Sequence, residues 1–409
     1  MIDLFIYLII SLYILIKNVL DMCQIRYIQN ATISNIELEL FSVNSDYFEK
    51  SNSYNIAKLY MSIVNMIVTA VLLYYFIFFE GISYFSNNIE NVNIFEINEE
   101  LMIIIFFIIL MSIINIPIGL YKTFYIEDKY GFNKNSLSLY ARDYLISLIL
   151  SLIIFAVLFS IFNFLFLTYP DSWWLYIWAV YILFNILILY AYPMIIAPMF
   201  NNFKKLSDIK IVAIIKTLSD KTKFNISDVY VMDGSKRSTH SNAYFTGFYK
   251  SKRIVFFDTL LDMLTPNEIK AVLAHEIGHY KKNHILKSMV LSLILSLLGF
   301  YLIYQVTLFS NFFEQLNINS NSAAELVIFF SFVLPSMLFF LNPLFSSLSR
   351  KNEFEADDYA KEFSNKYDLI SSLKKLYKEN LTLFKTSPIY SRIYNSHPTV
   401  FERINNLLS

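Results

Sequence analysis

The chain has 409 residues, of which 56% are hydrophobic, and its 33 basic residues balance its 33 acidic ones. This composition excludes a disordered chain, and the zero net charge gives no basic excess for binding nucleic acid. The single cysteine, Cys23, excludes an internal disulfide and a cysteine-based zinc site. We therefore expect a folded, strongly apolar protein with no nucleic-acid partner.

The distribution of charge predicts an all-α integral membrane protein with seven transmembrane helices. Six stretches carry no charged residue, and each is long enough to cross a hydrocarbon core of about 30 Å. These stretches are residues 59–79, 101–121, 144–170, 172–203, 288–313 and 326–349. Residues 1–20 form another span, because Lys17 lies close enough to its end to reach the membrane surface. A cleaved signal peptide is the alternative for this stretch, but Asp3 stands where such a peptide would carry positive charge.

Positive charge predicts the orientation of these spans. All Lys and Arg lie in four segments, residues 17–58, 122–142, 204–287 and 350–403. These segments share one side of the membrane, and the connections on the opposite side contain neither Lys nor Arg. Lys and Arg favour the cytoplasmic face, so we expect an outside or lumenal N-terminus and a cytoplasmic C-terminus. The lipid bilayer is an expected partner, as an endoplasmic reticulum membrane or a bacterial inner membrane.

Polar and β-rich segments follow the fifth span. Residues 228–233, and residues 243–247 with 252–258, alternate or run apolar and are rich in β-branched and aromatic side chains. They predict a small hairpin sheet. Next comes "LTPNEIKAVLAHEIGHYKKNH", in which Thr265 is a good N-cap, Pro266 suits the first helical position and Glu268 completes a capping box. A helix should therefore begin at residue 266 and run through the histidines.

The H-E-x-x-H pattern on this helix predicts a metal site. His275 and His279 lie one turn apart on one face, where both imidazoles can bind one ion. Glu276 can reach water bound to that ion and act as a general base. We expect one zinc ion per chain, and a pair of ordinary surface histidines is the alternative.

A catalytic zinc needs a third protein ligand, and the remaining histidines are weak candidates. His284 lies about 180° around a continuous helix from His275, so we expect it at the membrane border. The H-E-x-x-H-x-x-G-x-x-H pattern also fails here. His240 and His397 remain possible ligands from distant parts of the chain.

The acidic segment "SLSRKNEFEADDYAKEF", residues 347–363, is a better source for the third ligand. Glu353 and Asp357 are four residues apart and share a helix face, whereas Glu355 points about 200° away from Glu353. A common arrangement has one carboxylate on the metal and a second one hydrogen-bonded to a ligand imidazole. A solvated acidic helix face is the alternative.

Five motifs together resemble the CAAX prenyl protease 1 family, which are integral-membrane zinc metallopeptidases of the Ste24 (M48) type. They are "HEIGH", "SRKNEFEAD", "YGFNKNSLSLYARD" at 130–143, "DGSKRSTHSNAYFTGF" at 233–248 and "SHPTVFERI" at 396–404. The resemblance implies zinc ligands His275, His279 and Glu353. It implies further roles for four residues: Glu276 as the base, Asp357 as the second carboxylate, Asn242 as the holder of the substrate backbone on an edge strand and His397 as a stabiliser of the oxyanion.

The resemblance also implies a fold and a substrate. Residues 1–203 would be a membrane domain of five helices. Residues 204–409 would contain helices six (288–313) and seven (326–349) and a zincin-like α+β metallopeptidase domain on the cytoplasmic side, built from the loop between helices five and six and the C-terminal segment. The substrates would be prenylated C-terminal CaaX peptides, from which the last three residues are removed.

Three other functions stay open. An HtpX-like quality-control protease would cut membrane-protein segments without a prenyl requirement. A channel or transporter with a regulatory metal would carry charged residues in its spans, and the uncharged stretches have none. A catalytically dead scaffold is disfavoured, because every expected catalytic position is filled.

Overall fold

The computed structural model describes residues 2–90, 98–246 and 253–409. The N-terminal helices are α1 (Ile2–Gln29), α2 (Asn35–Phe41), α3 (Ser45–Phe78), α4 (Gly81–Glu90), α5 (Glu99–Tyr121), α6 (Asp128–Tyr130), α7 (Leu137–Thr168), α8 (Trp173–Ala191) and α9 (Ala197–Phe200). Two π-helical segments, Lys122–Glu127 and Tyr192–Ile196, join α5 to α6 and α8 to α9.

The C-terminal part begins with β1 (Phe203–Lys205), α10 (Ile209–Thr222), β2 (Asp228–Met232), β3 (Ala243–Thr246) and β4 (Arg253–Phe257). Its remaining helices are α11 (Asp258–Met263), α12 (Pro266–Lys281), α13 (His284–Thr307), α14 (Ser310–Gln315), α15 (Ala323–Leu338), α16 (Asn342–Phe363), α17 (Lys366–Glu379), α18 (Pro388–Tyr394) and α19 (Val400–Leu408). Short 3₁₀ turns lie at Gly234–Lys236 and Phe339–Leu341.

Seven helical segments within the described residues are long and apolar enough to cross a membrane, which confirms the predicted number. They are Leu4–Gln29, Ser45–Phe78, Glu99–Tyr130, Leu137–Thr168, Trp173–Phe200, His284–Thr307 and Ala323–Phe363. Most extend beyond the uncharged stretches. The second span begins at Ser45 because Asn44 caps it, accepting a hydrogen bond from the Tyr47 N–H.

The seventh span continues into the acidic segment. α15 ends at Leu338, and after the 3₁₀ turn the chain resumes as α16, whose second half carries Glu353 and Asp357. Pro343 in the first turn of α16 has no N–H to donate to the carbonyl of Phe339 and crowds that carbonyl, which explains the break at this point. The acidic segment is thus an extension of the membrane helix.

The spanning helices share a core of aromatic rings. Phe76 of α3 stacks on Phe332 of α15 with ring centroids 5.2 Å apart, and Phe107 of α5 meets both rings edge-on. In contrast, apolar side chains of the outer helices, such as Leu183 of α8 and Ile294 of α13, are exposed. Exposed apolar helix surface of this extent suits contact with lipid, which is as apolar as the side chains.

A four-stranded sheet with the order β1-β2-β4-β3 precedes α12. The two predicted β-rich segments do form strands, but only β3 and β4 pair as a hairpin, with Ala243 opposite Phe256. β2 pairs with β4 in parallel, and β1 adds a strand that the sequence did not indicate because it has only three residues. Residues 247–252, at the predicted turn, lie outside the described residues.

Candidate metal centre

The helix that carries the H-E-x-x-H motif begins where the capping residues predict. The Thr265 hydroxyl accepts the Glu268 N–H, and the Glu268 carboxylate accepts the Thr265 N–H at 2.7 Å. Glu268 is buried and also accepts hydrogen bonds from Ser371 and Lys375 of α17, at 2.6 and 2.7 Å. The start of α12 is therefore fixed both by its own cap and by a neighbouring helix.

A glycine lets α12 and α16 approach closely. A Cβ atom placed on Gly278 would lie 3.1 Å from backbone atoms of Ala356 and from the Cβ of Tyr359. Such separations are tighter than ordinary contacts between carbon atoms, which lie at about 3.5–4.0 Å. The small residues of the two helices thus bring Glu353 opposite the two histidines of α12.

His275, His279 and Glu353 form the group that we call the metal centre, and their ligand atoms all lie within 4.8 Å of one another. The two Nε2 atoms are 3.2 Å apart. The Glu353 oxygens lie 3.4 Å from His275 Nε2 and 3.3 Å from His279 Nε2. Ligand atoms bound at about 2.1 Å to a tetrahedral zinc ion are separated by about 3.4 Å, so these spacings fit zinc.

Glu353 supplies a second observation that fits a metal cation. Its side chain is buried, and within the described part of the chain its Oε2 atom has no hydrogen-bond partner, with His275 Nε2 and the Arg403 guanidinium 3.4 and 3.5 Å away. A buried carboxylate oxygen that accepts no hydrogen bond is costly, and a bound cation would offset that cost. The two-nitrogen, one-oxygen donor set is also one that zinc prefers.

Asp357 and Arg403 lie behind the metal centre. Asp357 is fully buried, and its Oδ1 is 2.8 Å from Nδ1 of His275, as expected for the second carboxylate. Arg403 of α19 donates to both Asp357 oxygens, at 2.6 and 2.9 Å, and its guanidinium is 3.5 Å from Glu353. Burial and Arg403 act to lower the pKa of His275, but hydrogen bonds with Asp357 and Glu353 outweigh them and raise it. The site therefore stabilises positive charge.

A cavity of about 430 Å³ opens at the metal centre. Glu276, one residue after His275, is partly exposed and lines it. Its apolar wall includes Val272 of α12 and three leucines of α17: Leu369, Leu373 and Leu376. This combination of an apolar pocket with a few convergent polar groups is typical of a substrate site.

His397 lies in the loop between α18 and α19, with Nε2 3.3 Å from Glu353 Oε1. Its side chain is 61% exposed, and it lines both this cavity and a second one of about 470 Å³ beside α1 and α3. Partial desolvation of the ring by the surrounding protein, together with the charge of Arg403, outweighs the attraction of Glu353 and holds the pKa of His397 below its ordinary value. A neutral imidazole at this position can donate one hydrogen bond into the cavity.

Asn242 lies at the start of β3, which is at one end of the described sheet order, as predicted. Its carbonyl accepts the Phe257 N–H at 3.0 Å, and its side-chain oxygen accepts the Ala243 N–H. The side chain is exposed, and Tyr244, two residues further, contributes to the cavity wall. The strand therefore borders the cavity, although Asn242 itself is not part of the lining.

His240 does not join the metal centre. Its ring stacks on Phe132 at 4.1 Å, its Nδ1 is 2.9 Å from Asn380 and its Nε2 is 3.3 Å from Glu127. The ring thus connects the segment before β3 to the end of the third span. His240, which the sequence left as a possible metal ligand, is therefore not one in this structure.

The expected position of His284, on the far side of a continuous helix, is also wrong. The helix breaks at Asn283, which has a φ of 58°, and α13 starts at His284. His284 is buried, with Nδ1 3.1 Å from Nδ1 of His279. Its place at the start of the sixth span agrees with the predicted membrane border.

Sequence reasoning gave no role to Arg403 or to the contact of His284. Arg403 belongs to the "SHPTVFERI" motif, and this membership was the only signal, because its partner Asp357 is 46 residues away. For His284, the signal was the Lys-Lys-Asn sequence before it, since asparagine tolerates a left-handed backbone and can end a helix.

Comparison with known proteins places this arrangement in a family. Residues 205–409 match the model of peptidase family M48, and residues 24–202 match that of the CAAX prenyl protease N-terminal region with five membrane helices. The chain belongs to peptidase family M48. It is therefore a multi-pass membrane metallopeptidase, and the resemblance to CAAX prenyl protease 1 is confirmed.

Relatives match over most of their length. CAAX prenyl protease 1 of Saccharomyces cerevisiae is 38% identical over 73% of this chain and 69% of its own. A homologue of that enzyme from Arabidopsis thaliana is 32% identical over 88% and 87%. The crystal structure of S. mikatae Ste24p superposes with a TM-score of 0.91 at 30% identity and covers 99% of this chain and 98% of that chain.

Proposed function

We propose that this metallopeptidase uses zinc to remove the C-terminal aaX tripeptide from prenylated CaaX proteins or peptides. The observation that carries the proposal is the metal centre itself, with ligand atoms at zinc spacing on the wall of a cavity that also contains Glu276. The substrate class comes from the relatives, which are named CAAX prenyl proteases. One zinc ion per chain would be held by His275, His279 and Glu353.

Bound zinc supplies a Lewis acid that polarises the scissile carbonyl and makes water acidic enough to lose a proton near neutral pH. Glu276 takes the proton of the attacking water, and the hydroxyl oxygen forms a bond to the carbonyl carbon. Glu276 then passes a proton to the leaving amine as the carbon–nitrogen bond breaks. The products are a peptide carboxylate and the free tripeptide.

The surrounding residues orient the substrate and the ligands. The ring N–H of neutral His397 donates to the carbonyl oxygen as negative charge develops there. Asn242 and β3 would pair with an extended substrate backbone, since an edge strand offers unpaired N–H and C=O groups. Asp357 holds the ring of His275 by accepting from its Nδ1, and Arg403 offsets the charge of that carboxylate.

The proposal includes an orientation. The N-terminus would face outside or the lumen, and the region from residue 204, together with the C-terminus, would face the cytoplasm of an endoplasmic reticulum or bacterial inner membrane. Domain boundaries at residues 203 and 204 stay a prediction. Replacing Cys23 by serine and placing single cysteines at Asn87 or Ser409 tests the orientation. Only the Ser409 cysteine should react with an impermeant thiol reagent added to cytoplasmic-side-out vesicles.

The substrate is tested with purified full-length protein in detergent and one CaaX peptide, with or without a farnesyl group. The account predicts strong preference for the farnesylated peptide and release of the tripeptide, both lost in Glu276→Gln. Equal cleavage of the two peptides would overturn the prenyl requirement and favour quality control of membrane-protein segments. Absence of both cleavage and zinc would overturn the proposal as a whole.

A further inference from the structure

The short turn after α12 brings a third histidine against the metal centre. α12 ends at Lys281, Asn283 takes a left-handed conformation, and α13 begins with His284. This reversal places His284 against the outer edge of the His279 ring, with the two Nδ1 atoms 3.1 Å apart. The other nitrogen of His284, Nε2, lies 3.0 Å from Oε2 of Glu355.

The positions of the nitrogens settle which way each hydrogen bond runs. Nε2 of His279 faces His275 and Glu353, so this nitrogen is the one that would bind the metal. A neutral imidazole bound through Nε2 carries its proton on Nδ1 and donates from it. Nδ1 of His284 must then accept, which leaves the proton of His284 on Nε2, where it donates to Glu355.

We propose that His284 and Glu355 are positioning residues of the metal centre, which hold the His279 ring through a chain of two hydrogen bonds. The inference rests on the proposed zinc site and adds to it two residues that do not contact the metal. Each contact locks one tautomer, so the metal-facing nitrogen of His279 is kept free of a proton. His284 is 3% exposed, which excludes water from competing along most of the chain.

The other histidine of the centre is held differently. Nδ1 of His275 reaches the buried carboxylate of Asp357 directly, at 2.8 Å. Glu355 lies on the same helix as Asp357 but on another face, so an interposed imidazole is needed to connect it with His279. The side chain of Glu355 is 34% exposed, and Nζ of Lys351 is 3.9 Å from its Oε1. We therefore expect a weaker effect from Glu355 than from Asp357.

His284 is not placed as a fourth ligand. Its near nitrogen faces Nδ1 of His279, and Nε2 of His279 is the atom that faces His275 and Glu353. A ligand would need to approach the group from the side of the cavity, whose lining residues include Glu276 and His397 but not His284. The arrangement therefore fits orientation of His279.

The test measures zinc affinity of the full-length protein in detergent by competition with a chelator. Glu355→Ala and His284→Phe should bind zinc about 10–100-fold more weakly than the wild type. Glu355→Gln loses the charge but keeps an oxygen that accepts from Nε2, so its affinity should stay within about threefold. Lys351→Ala, which removes the distant cation only, is the matched control and should behave as the wild type.

The variants also separate positioning from simple packing. If these residues only pack, their loss would lower the melting temperature of the metal-free protein and leave zinc affinity unchanged. The hydrogen-bond chain predicts lower zinc affinity and an unchanged melting temperature of the metal-free protein. Glu355→Ala with wild-type affinity would overturn the inference, as would Glu355→Gln with the same loss as alanine. Glu355 lies near the surface, so its variants serve even if His284→Phe does not fold. Wild-type protein that binds no zinc would overturn the zinc site itself.

Discussion

The membrane-spanning bundle and the region around the metal centre are held together by different kinds of contact. In the bundle, α3, α5 and α15 meet through phenylalanine rings such as Phe76 and Phe332. Around the metal centre, the buried groups are charged: Arg403 is hydrogen-bonded to Asp357 at 2.6 Å and forms an ion pair with Glu353 at 3.5 Å. Apolar packing accepts many arrangements, whereas a buried charge needs each partner in place. The proposed catalytic site lies in the second region, where each buried charge has a defined partner.

The difference between the membrane-spanning bundle and the metal centre should be largest in catalysis. Glu276→Gln keeps the size of the side chain and removes the proposed base, so we expect turnover to fall by about 10²–10⁴-fold with the fold intact. Steady-state cleavage of a farnesylated peptide measures the loss, and zinc content and melting temperature serve as controls. A variant that cleaves at the wild-type rate would show that Glu276 is not the base.

The aromatic core of the bundle should respond in stability. Phe332→Ala removes a ring that touches Phe76 and Phe107, and we expect a loss of about 3–5 kcal/mol, as for buried phenylalanines in other cores. Leu183→Ala on the exposed face of α8 is the control, and should change stability by about 0.5 kcal/mol or less. Thermal unfolding in detergent compares them, and equal effects would contradict the assigned core.

Two helical glycines test the close approach of α12 and α16. Gly278→Ala places a methyl group 3.1 Å from the backbone of Ala356, so we expect destabilisation by about 1–3 kcal/mol and reduced zinc affinity. Gly299→Ala in α13 meets open space and should be neutral or stabilising by up to about 1 kcal/mol. If both substitutions behaved alike, close packing would not be what sets the position of Glu353.

Glu268 should make a pH-dependent contribution to the free energy of unfolding. Burial acts to raise the pKa of Glu268, but hydrogen bonds from Lys375, Ser371 and Thr265 outweigh it and lower the pKa. Since the folded pKa lies below the unfolded value of about 4.3, the stabilisation is complete above that pH and is lost as the pH falls through the folded pKa. Glu268→Gln should therefore cost about 1–3 kcal/mol at pH 7.

Unfolding of wild type and Glu268→Gln between pH 7 and pH 3 checks the sign. The difference between the two proteins should shrink on acidification. A difference that stayed constant or grew would contradict the assigned ion pair. Glu402→Gln, at the corresponding position of the exposed capping box of α19, should cost less at every pH.

Much of the fold could be predicted because its signals are local. Uncharged stretches mark the spans, and Thr265, Pro266 and Glu268 mark the start of α12. The pairing of β2 with β4 could not be predicted, because two apolar strands close in sequence fit a hairpin equally well. Parallel pairing depends on how β3 folds back onto β4, which is a tertiary contact.

The candidate site likewise contains residues that local patterns predict and residues that depend on tertiary packing. His275, His279 and Glu276 follow from helical spacing, and the acidic segment after the last span indicated Glu353 and Asp357. Three features were missed: the break at Asn283, the pairing of Arg403 with Asp357 and the contact of His284 with Glu355. Each requires knowing how α12, α13, α16 and α19 pack, and no periodicity in one segment contains that information.

The central claim is that His275, His279 and Glu353 hold one catalytic zinc ion. The most direct measurement is the zinc content of the purified wild-type protein, compared with that of Glu353→Ala and Glu276→Gln. The melting temperatures of the three proteins are measured as well, to show that the variants are folded. The account predicts one zinc per chain in the wild type and in Glu276→Gln, and loss of most zinc in Glu353→Ala. A Glu353→Ala protein that retained one zinc and full activity would contradict it.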